Sequence, residues 1–248
     1  MRIKEPFSAI SHAIGAMLAI LALILLILES INPIKPWHIV TFSVFCSGMF
    51  LLYTASAIYH WLPVAPKYVK KLQILDHAMI HVLIAATYTP VCLIPLRGVW
   101  GWSLFGVIWG LTIFGILLKI FWKNLPGWFS ITFYIFMGWL VVIAIWPMIQ
   151  TLQVGALVWI FVGGFFYTVG AIIHGIKKPN PIPNVFGAHD IFHVCVLLVN
   201  LDNFELTHIS KKDGLPSNKV YALTSSEDYI WFGTPSGLSL FDWKRYFE

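Results

Sequence analysis

At 248 residues, with 58% hydrophobic and 11% charged side chains and a mean hydropathy of +0.79, the chain is far from the composition of a water-soluble domain and reads as an integral membrane protein. Its net charge of +5 does not argue for nucleic acid, because Lys and Arg sit in short loops between apolar runs and form no clustered basic surface. No nucleic-acid partner is expected, and the basic balance speaks to membrane topology.

A helix needs about 20 apolar residues to cross the hydrocarbon core, and that length recurs along the chain. Spans are predicted at 9–28, 38–60, 72–94, 99–121, 128–149 and 154–174, with a last one starting near Val185. The first run is too long for a signal peptide and no small-residue cleavage site follows it, so no cleavable leader is expected. The breaks "NPIKPW", "WLPVAPKYVKK", "PLRGVWGW", "KNLPGW" and "KKPNPIPN" combine helix-ending Pro, Gly and Asn with Trp, an interface anchor. Cys46, Cys92 and Cys195 fall singly in apolar segments and read as small buried hydrophobes. "GVIWG", with Gly106 and Gly110, has the small-xxx-small spacing that can seat a helix contact, although for a single match ordinary packing is the better explanation.

Seven spans put the termini on opposite sides. One set of span ends carries Arg2, Lys4, Lys67, Lys70, Lys71, Lys119, Lys123, Lys177 and Lys178; the other carries only Lys35 and Arg97 before the tail. The positive-inside rule therefore places the N-terminus in the cytoplasm.

His189 and His193 stand four apart where the last span begins, one above the other on one helix face. Ionisable groups inside a membrane segment are functional suspects. With the N-terminus inside, the second span ends in the cytoplasm at "SAIYHWLP", which brings in His60 with Ser56 one turn deeper, and the third starts there with Asp76. His60, Asp76, His189 and His193 thus share one membrane depth. Zinc fits such a set best: three neutral imidazoles plus water make an open tetrahedral site, whereas calcium or magnesium would want more oxygen ligands. Asp76 is suited to hold that water and take its proton. Ser56 is suited to hydrogen-bond the water, Asp76 or a substrate oxygen. Other histidines compete: His77 and His81 form a second i, i+4 pair, His174 closes the sixth span at the same end, and His12 is a candidate supporting residue. His38 belongs to the opposite end, and Asp190 points away from His189 as a helix N-terminal charge.

"EPFSAISHAIGA", "SAIYHWLP", "LDHAMIHVLIAATYTP" and "FGAHDIFHVCVLL" resemble, in order and spacing, the bacterial haemolysin III proteins, relatives of the progestin and adipoQ receptors in a group that includes alkaline ceramidases. The resemblance implies an all-α, seven-transmembrane helix bundle over residues 1–201 in the bacterial cell (inner) membrane, with a cytoplasm-facing zinc site. It implies His60, His189 and His193 as ligands, Asp76 holding the zinc-bound water, and Ser56 beside it. His77 and His81 are demoted on this ground. Membrane lipids are the expected partners, with a lipid amide or ester as substrate.

Beyond Leu198 the chain departs from that pattern. "VNLDNFELTHISKKDG" brings Asp202 and Glu205 where a complete family member continues with apolar and aromatic residues. Residues 202–248 then carry short β-type runs, "KVYAL", "YIWFG" and "LSLFDW", and resemble one repeat of the propellers in the sensor portions of bacterial hybrid kinases. One blade cannot bury its own faces, so a fusion junction or truncated reading frame is expected here; a genuine tail would lie outside the cytoplasm, poorly packed against the bundle.

Three functions stay open. The first is a zinc-dependent hydrolase of a lipid amide or ester. The second is a receptor-like or lipid-homeostasis protein in which zinc staples helices; structural zinc usually has four protein ligands, which tilts the balance toward catalysis. The third is a pore, as the haemolysin name implies, against which stands the gathering of polar residues at one membrane face.

Overall fold

The computed structural model of the chain describes residues 4–122, 125–182, 186–202, 222–225, 229–234 and 237–242. Three helices open on a proline: α1 (Pro6–Ile31), α2 (Pro36–Trp61) and α3 (Pro66–Leu93). Proline suits the first turn, where its missing N–H loses no bond and its fixed φ is already helical. α3 starts ahead of the predicted 72 because Lys67, Lys70 and Lys71 are good helix formers, although they do not belong in lipid. α4 (Val99–Phe121), α5 (Gly127–Trp139), a 3-10 stretch (Leu140–Ala144), α6 (Ile145–Thr151), α7 (Val154–Ile176) and α8 (Ala188–Asp202) follow.

Among the described residues six segments are long and apolar enough to cross a membrane, where the sequence predicts seven. α5, the 3-10 stretch and α6 together form one of them, Gly127–Thr151. α8 has 15 residues, and its apolar portion Ala188–Leu197 falls short of the roughly 20 that a crossing requires. Asn200 and Asp202 fall in its last turn. The predicted start near Val185 lies outside the described residues, as do Arg2, Lys123 and most of the tail.

The break inside the fifth crossing has an identifiable cause and a specific repair. Pro147 has no N–H to give the carbonyl one turn back, and its ring crowds that carbonyl. The chain tightens into 3-10 geometry just before it. Tyr88 of α3 then splices into the opened backbone: its hydroxyl lies 2.8 Å from the Met137 carbonyl and 2.7 Å from that of Gly138, and it accepts the Val141 N–H at 2.8 Å. Tyr88→Phe strands those groups in the interior and is expected to destabilise the protein by about 1–3 kcal/mol. Thermal unfolding in detergent checks this; an unchanged midpoint would show that the splice contributes nothing.

α1 packs along α2, α2 along α3 and α3 along α4; α5 leans on α3 and α7, and α8 lies between α7 and α1. The core is shared by Phe45, Met49 and Tyr53 of α2, Leu83 and Ile84 of α3, and Met137 and Met148 of the fifth crossing. Large apolar side chains such as Met17, Leu28, Phe114, Phe121 and Phe165 stay exposed, an outer surface that suits hydrocarbon and not water. Gly106 and Gly110 are part of that surface, with nothing among the described residues within 4 Å of where a Cβ would stand, so the spacing seats no helix contact there. Close helix approach occurs instead at Gly48, whose missing Cβ makes room for Ala86, and at Gly115, where a Cβ would overlap the His81 ring.

The chain divides into two compact units, Met1–Phe204 and Glu205–Glu248. The first is all-helical in its described residues. In the second, β1 (Ala222–Ser225), β2 (Tyr229–Thr234) and β3 (Gly237–Asp242) pair antiparallel in that order, with Leu223 opposite Phe232 and Ile230 opposite Phe241.

Candidate metal centre

The last turn of α2 carries His60, and the first two turns of α8 carry His189 and His193. α8 is fixed at its start by Asp190, which accepts the Gly187 N–H at 3.0 Å and the Ser8 hydroxyl at 2.6 Å, and by Asn180, which accepts the Ala188 N–H at 3.0 Å. Further along, Gly170 of α7 lets Cys195 come close, and Gly15 of α1 does the same for Leu197. Capping and close packing together set the rotation of α8. Both its histidines face inward as a result.

Three Nε2 atoms converge. His189 Nε2 lies 3.3 Å from that of His60 and 2.9 Å from that of His193. Each ring also has its Nδ1 engaged by a further group. His60 Nδ1 meets the Glu5 carboxylate, and the Glu5 N–H returns to the His60 carbonyl at 3.1 Å. His193 Nδ1 lies 2.6 Å from His12 Nε2, and His189 Nδ1 lies 3.2 Å from His174 Nδ1. A carboxylate can only accept, so the proton of neutral His60 sits on Nδ1 and its Nε2 keeps a bare lone pair. With Nδ1 as donor in all three rings, three lone pairs face one point. That arrangement is repulsive unless a cation lies between them.

The donor set fits zinc. Tetrahedral nitrogen ligation at about 2.0–2.1 Å spaces the nitrogens by roughly 3.4 Å, against 3.3 and 2.9 Å here. Metal-bound histidines characteristically give their other ring N–H to a carboxylate or another acceptor, and Glu5, His12 and His174 occupy that place. Glu5 lies just outside α1, and its carboxyl is held down to about 2, first by the hydrogen bond from His60 and further by the Lys4 charge, against the opposing effect of burial. Among the described residues, His60, His189 and His193 form the group of His, Cys, Asp and Glu whose donor atoms all lie within 4.8 Å of one another.

Asp76 is not in that group. It is buried on α3 and lines a cavity of about 110 Å³ together with Ser56, Lys119, Tyr167 and the two histidines of α8. Ser56 Oγ is the hydroxyl neighbour of the Asp76 carboxyl, outside strict hydrogen-bond geometry, and makes no bond to its own helix backbone. Three buried polar atoms lack a partner among the described residues: Ser56 Oγ, His12 Nδ1 and Tyr167 Oη. All three residues line this one cavity. A chamber that gathers unpartnered polar atoms suits a polar ligand or water.

His77 and His81 do not form a rival ligand pair. His81 is buried against Gly115, Phe133 and Tyr134, with Nδ1 3.2 Å from its own helix at the His77 carbonyl, whereas His77 faces the cavity and lies 3.5 Å from Lys119. Sequence reasoning gave Glu5 no role and took His174 only as a competing ligand. Their signal was available: both stand at helix ends on the same side of the bundle as His60.

A family model described as "Haemolysin-III related" matches residues 1–201. The "Hemolysin-3 homolog" of Bacillus subtilis (strain 168) is 41% identical over 197 residues, covering 79% of this chain and 89% of that protein. "Hemolysin-3" of Bacillus cereus is 44% identical over 194 residues, covering 78% and 85%. A shorter stretch of 85 residues, 29% of this chain and 25% of the relative, is 32% identical to the "ADIPOR-like receptor IZH2" of Saccharomyces cerevisiae.

Proposed function

This chain belongs to the haemolysin-III related family, and from that premise and the histidine cluster we propose that it is a zinc-dependent membrane hydrolase that cleaves an amide or ester bond of a membrane lipid. The observation that carries the reading is the convergence of three Nε2 atoms whose Nδ1 partners are Glu5, His12 and His174. His60, His189 and His193 hold the metal. Zinc, when bound, polarises a carbonyl and makes a water more acidic. Asp76 takes the proton of the attacking water on its carboxylate and later returns it to the leaving amine or alkoxide, so that acid and amine, or acid and alcohol, are released. Ser56 Oγ orients the water or the carbonyl oxygen. Leu52, Ile80 and Val196 give the cavity an apolar wall for the acyl chain.

The protein lies in the bacterial cell (inner) membrane with its N-terminus and zinc site toward the cytoplasm. The distribution of Lys and Arg supports the orientation, and the Bacillus relatives support the setting. A second reading, a receptor-like protein with structural zinc, draws support from the partial likeness to the yeast receptor-like protein.

Metal analysis of the detergent-purified chain, alongside fatty-acid release from a panel of lipid amides and esters, decides between them. The hydrolase reading expects about one zinc per chain and release that stops on chelation. Zinc without release, with chelation lowering thermal stability, would favour the receptor. Absence of zinc after growth in zinc-replete medium would end both.

A further inference from the structure

The cavity wall formed by α3, α4 and α5 carries a cation that the hydrolytic reading leaves unused. Lys119 occupies the last turn of α4, a position from which a lysine ordinarily extends its ammonium outward to the interface. Here it turns inward. Its Nζ donates to Ser130 Oγ of α5 at 2.6 Å, stands 3.5 Å from His77 Nδ1 of α3, lies 6.0 Å from the centre of the Tyr134 ring, and lines the chamber that holds Asp76 and Ser56.

None of these neighbours is an anion. Among the described residues no carboxylate comes within ion-pair distance of Lys119. Tyr134 gives its hydroxyl proton to the His77 carbonyl at 3.0 Å. Ser130, buried, accepts from Lys119 and so keeps its own O–H free to donate. A half-buried ammonium and a free hydroxyl donor therefore meet at one wall of a chamber that already gathers three unpartnered polar atoms, two of them on His12 and Ser56, which are 4% and 1% exposed. Asp76 shares the chamber but lies beyond ion-pair distance, and a half-buried ammonium with no direct partner favours a ligand that brings the opposite charge.

We propose that Lys119 and Ser130 seat a phosphate oxyanion of the cavity's ligand, and that the ligand class is accordingly the phosphate-bearing lipids. Lysine binds phosphate as a compact point charge with several rotatable donors, and the hydroxyl supplies a second. Lys119 sits at the same helix-end level as His60 and His189. The assignment rests on the cavity being the ligand chamber of the proposed function, but it does not require zinc.

The test uses the full chain in a neutral detergent and reads the thermal unfolding midpoint and zinc content of the parent, Lys119→Gln, Lys119→Arg and Lys70→Gln. Dioleoyl phosphatidylglycerol is expected to raise the parent's midpoint by a few degrees and dioleoylglycerol, which lacks the phosphate, to leave it nearly unchanged. The gain is lost in Lys119→Gln, mostly kept in Lys119→Arg, and kept in Lys70→Gln, where an exposed lysine outside the cavity is removed. A Lys119-dependent gain with millimolar inorganic phosphate assigns the oxyanion to the free ion; a gain with the lipid alone assigns it to the headgroup. Equal gains in parent and Lys119→Gln would overturn the proposal. If Lys119→Gln does not fold, Ser130→Ala is the second variant, expected to lose part of the gain; a full gain there overturns it as well. Normal zinc with no Lys119 effect defeats this assignment alone, and a Lys119 effect without zinc defeats only the hydrolytic reading.

Discussion

His193→Ala is expected to strip the protein of its metal, taking zinc from about one per chain to near none after gel filtration. Zinc binding by small structural sites amounts to about 10–16 kcal/mol, so one of three ligands carries roughly 3–5 kcal/mol, an affinity loss on the order of a thousandfold. His193 is buried and held at both ring nitrogens, with Nε2 2.9 Å from His189 and Nδ1 2.6 Å from His12. His60→Ala should behave alike. Glu5→Gln removes only the carboxylate behind His60 and should weaken zinc by about 10–100-fold, the usual effect of losing a supporting partner. A folded His193→Ala protein that keeps full zinc would mean that the three rings do not hold the metal. Equal losses in the His193 and Glu5 variants would mean that Glu5 is itself a ligand.

Asp76→Asn should separate chemistry from metal binding. Asparagine keeps the shape of the side chain but cannot take a proton, so turnover on a lipid amide or ester is expected to fall by about 10²–10⁴-fold while zinc content and unfolding midpoint stay near the parent values. The expectation follows from Asp76 sharing the cavity with the cluster while standing outside its group of donor atoms. Turnover within a few-fold of the parent would remove Asp76 from the mechanism. Loss of zinc together with turnover would make it a fourth protein ligand, and a closed four-ligand site favours the structural reading.

What the sequence determined by itself was whatever depends on local pattern. The apolar runs at 9–28 and 154–174, with four more between them, each fall on a helical segment long enough to cross, because whether some 20 residues suit hydrocarbon is decided by those residues alone. His60, His189 and His193 were candidates for a related reason, since i, i+4 spacing shares a helix face, but that spacing left His77 and His81 open as well, and it was the family resemblance that chose between them. Rotation of one helix against another is not written in its own period. Tertiary packing therefore decided that His77 faces the cavity while His81 is locked against Gly115, that Gly106 and Gly110 look outward, and that Lys119 turns in toward Ser130. It also decided which groups stand behind the three rings. Glu5, His12 and His174 are remote from their histidines along the chain, and only the closing of α8 between α1 and α7 brings the cluster and its supports into register, since each contact depends on where neighbouring side chains allow the helices to meet.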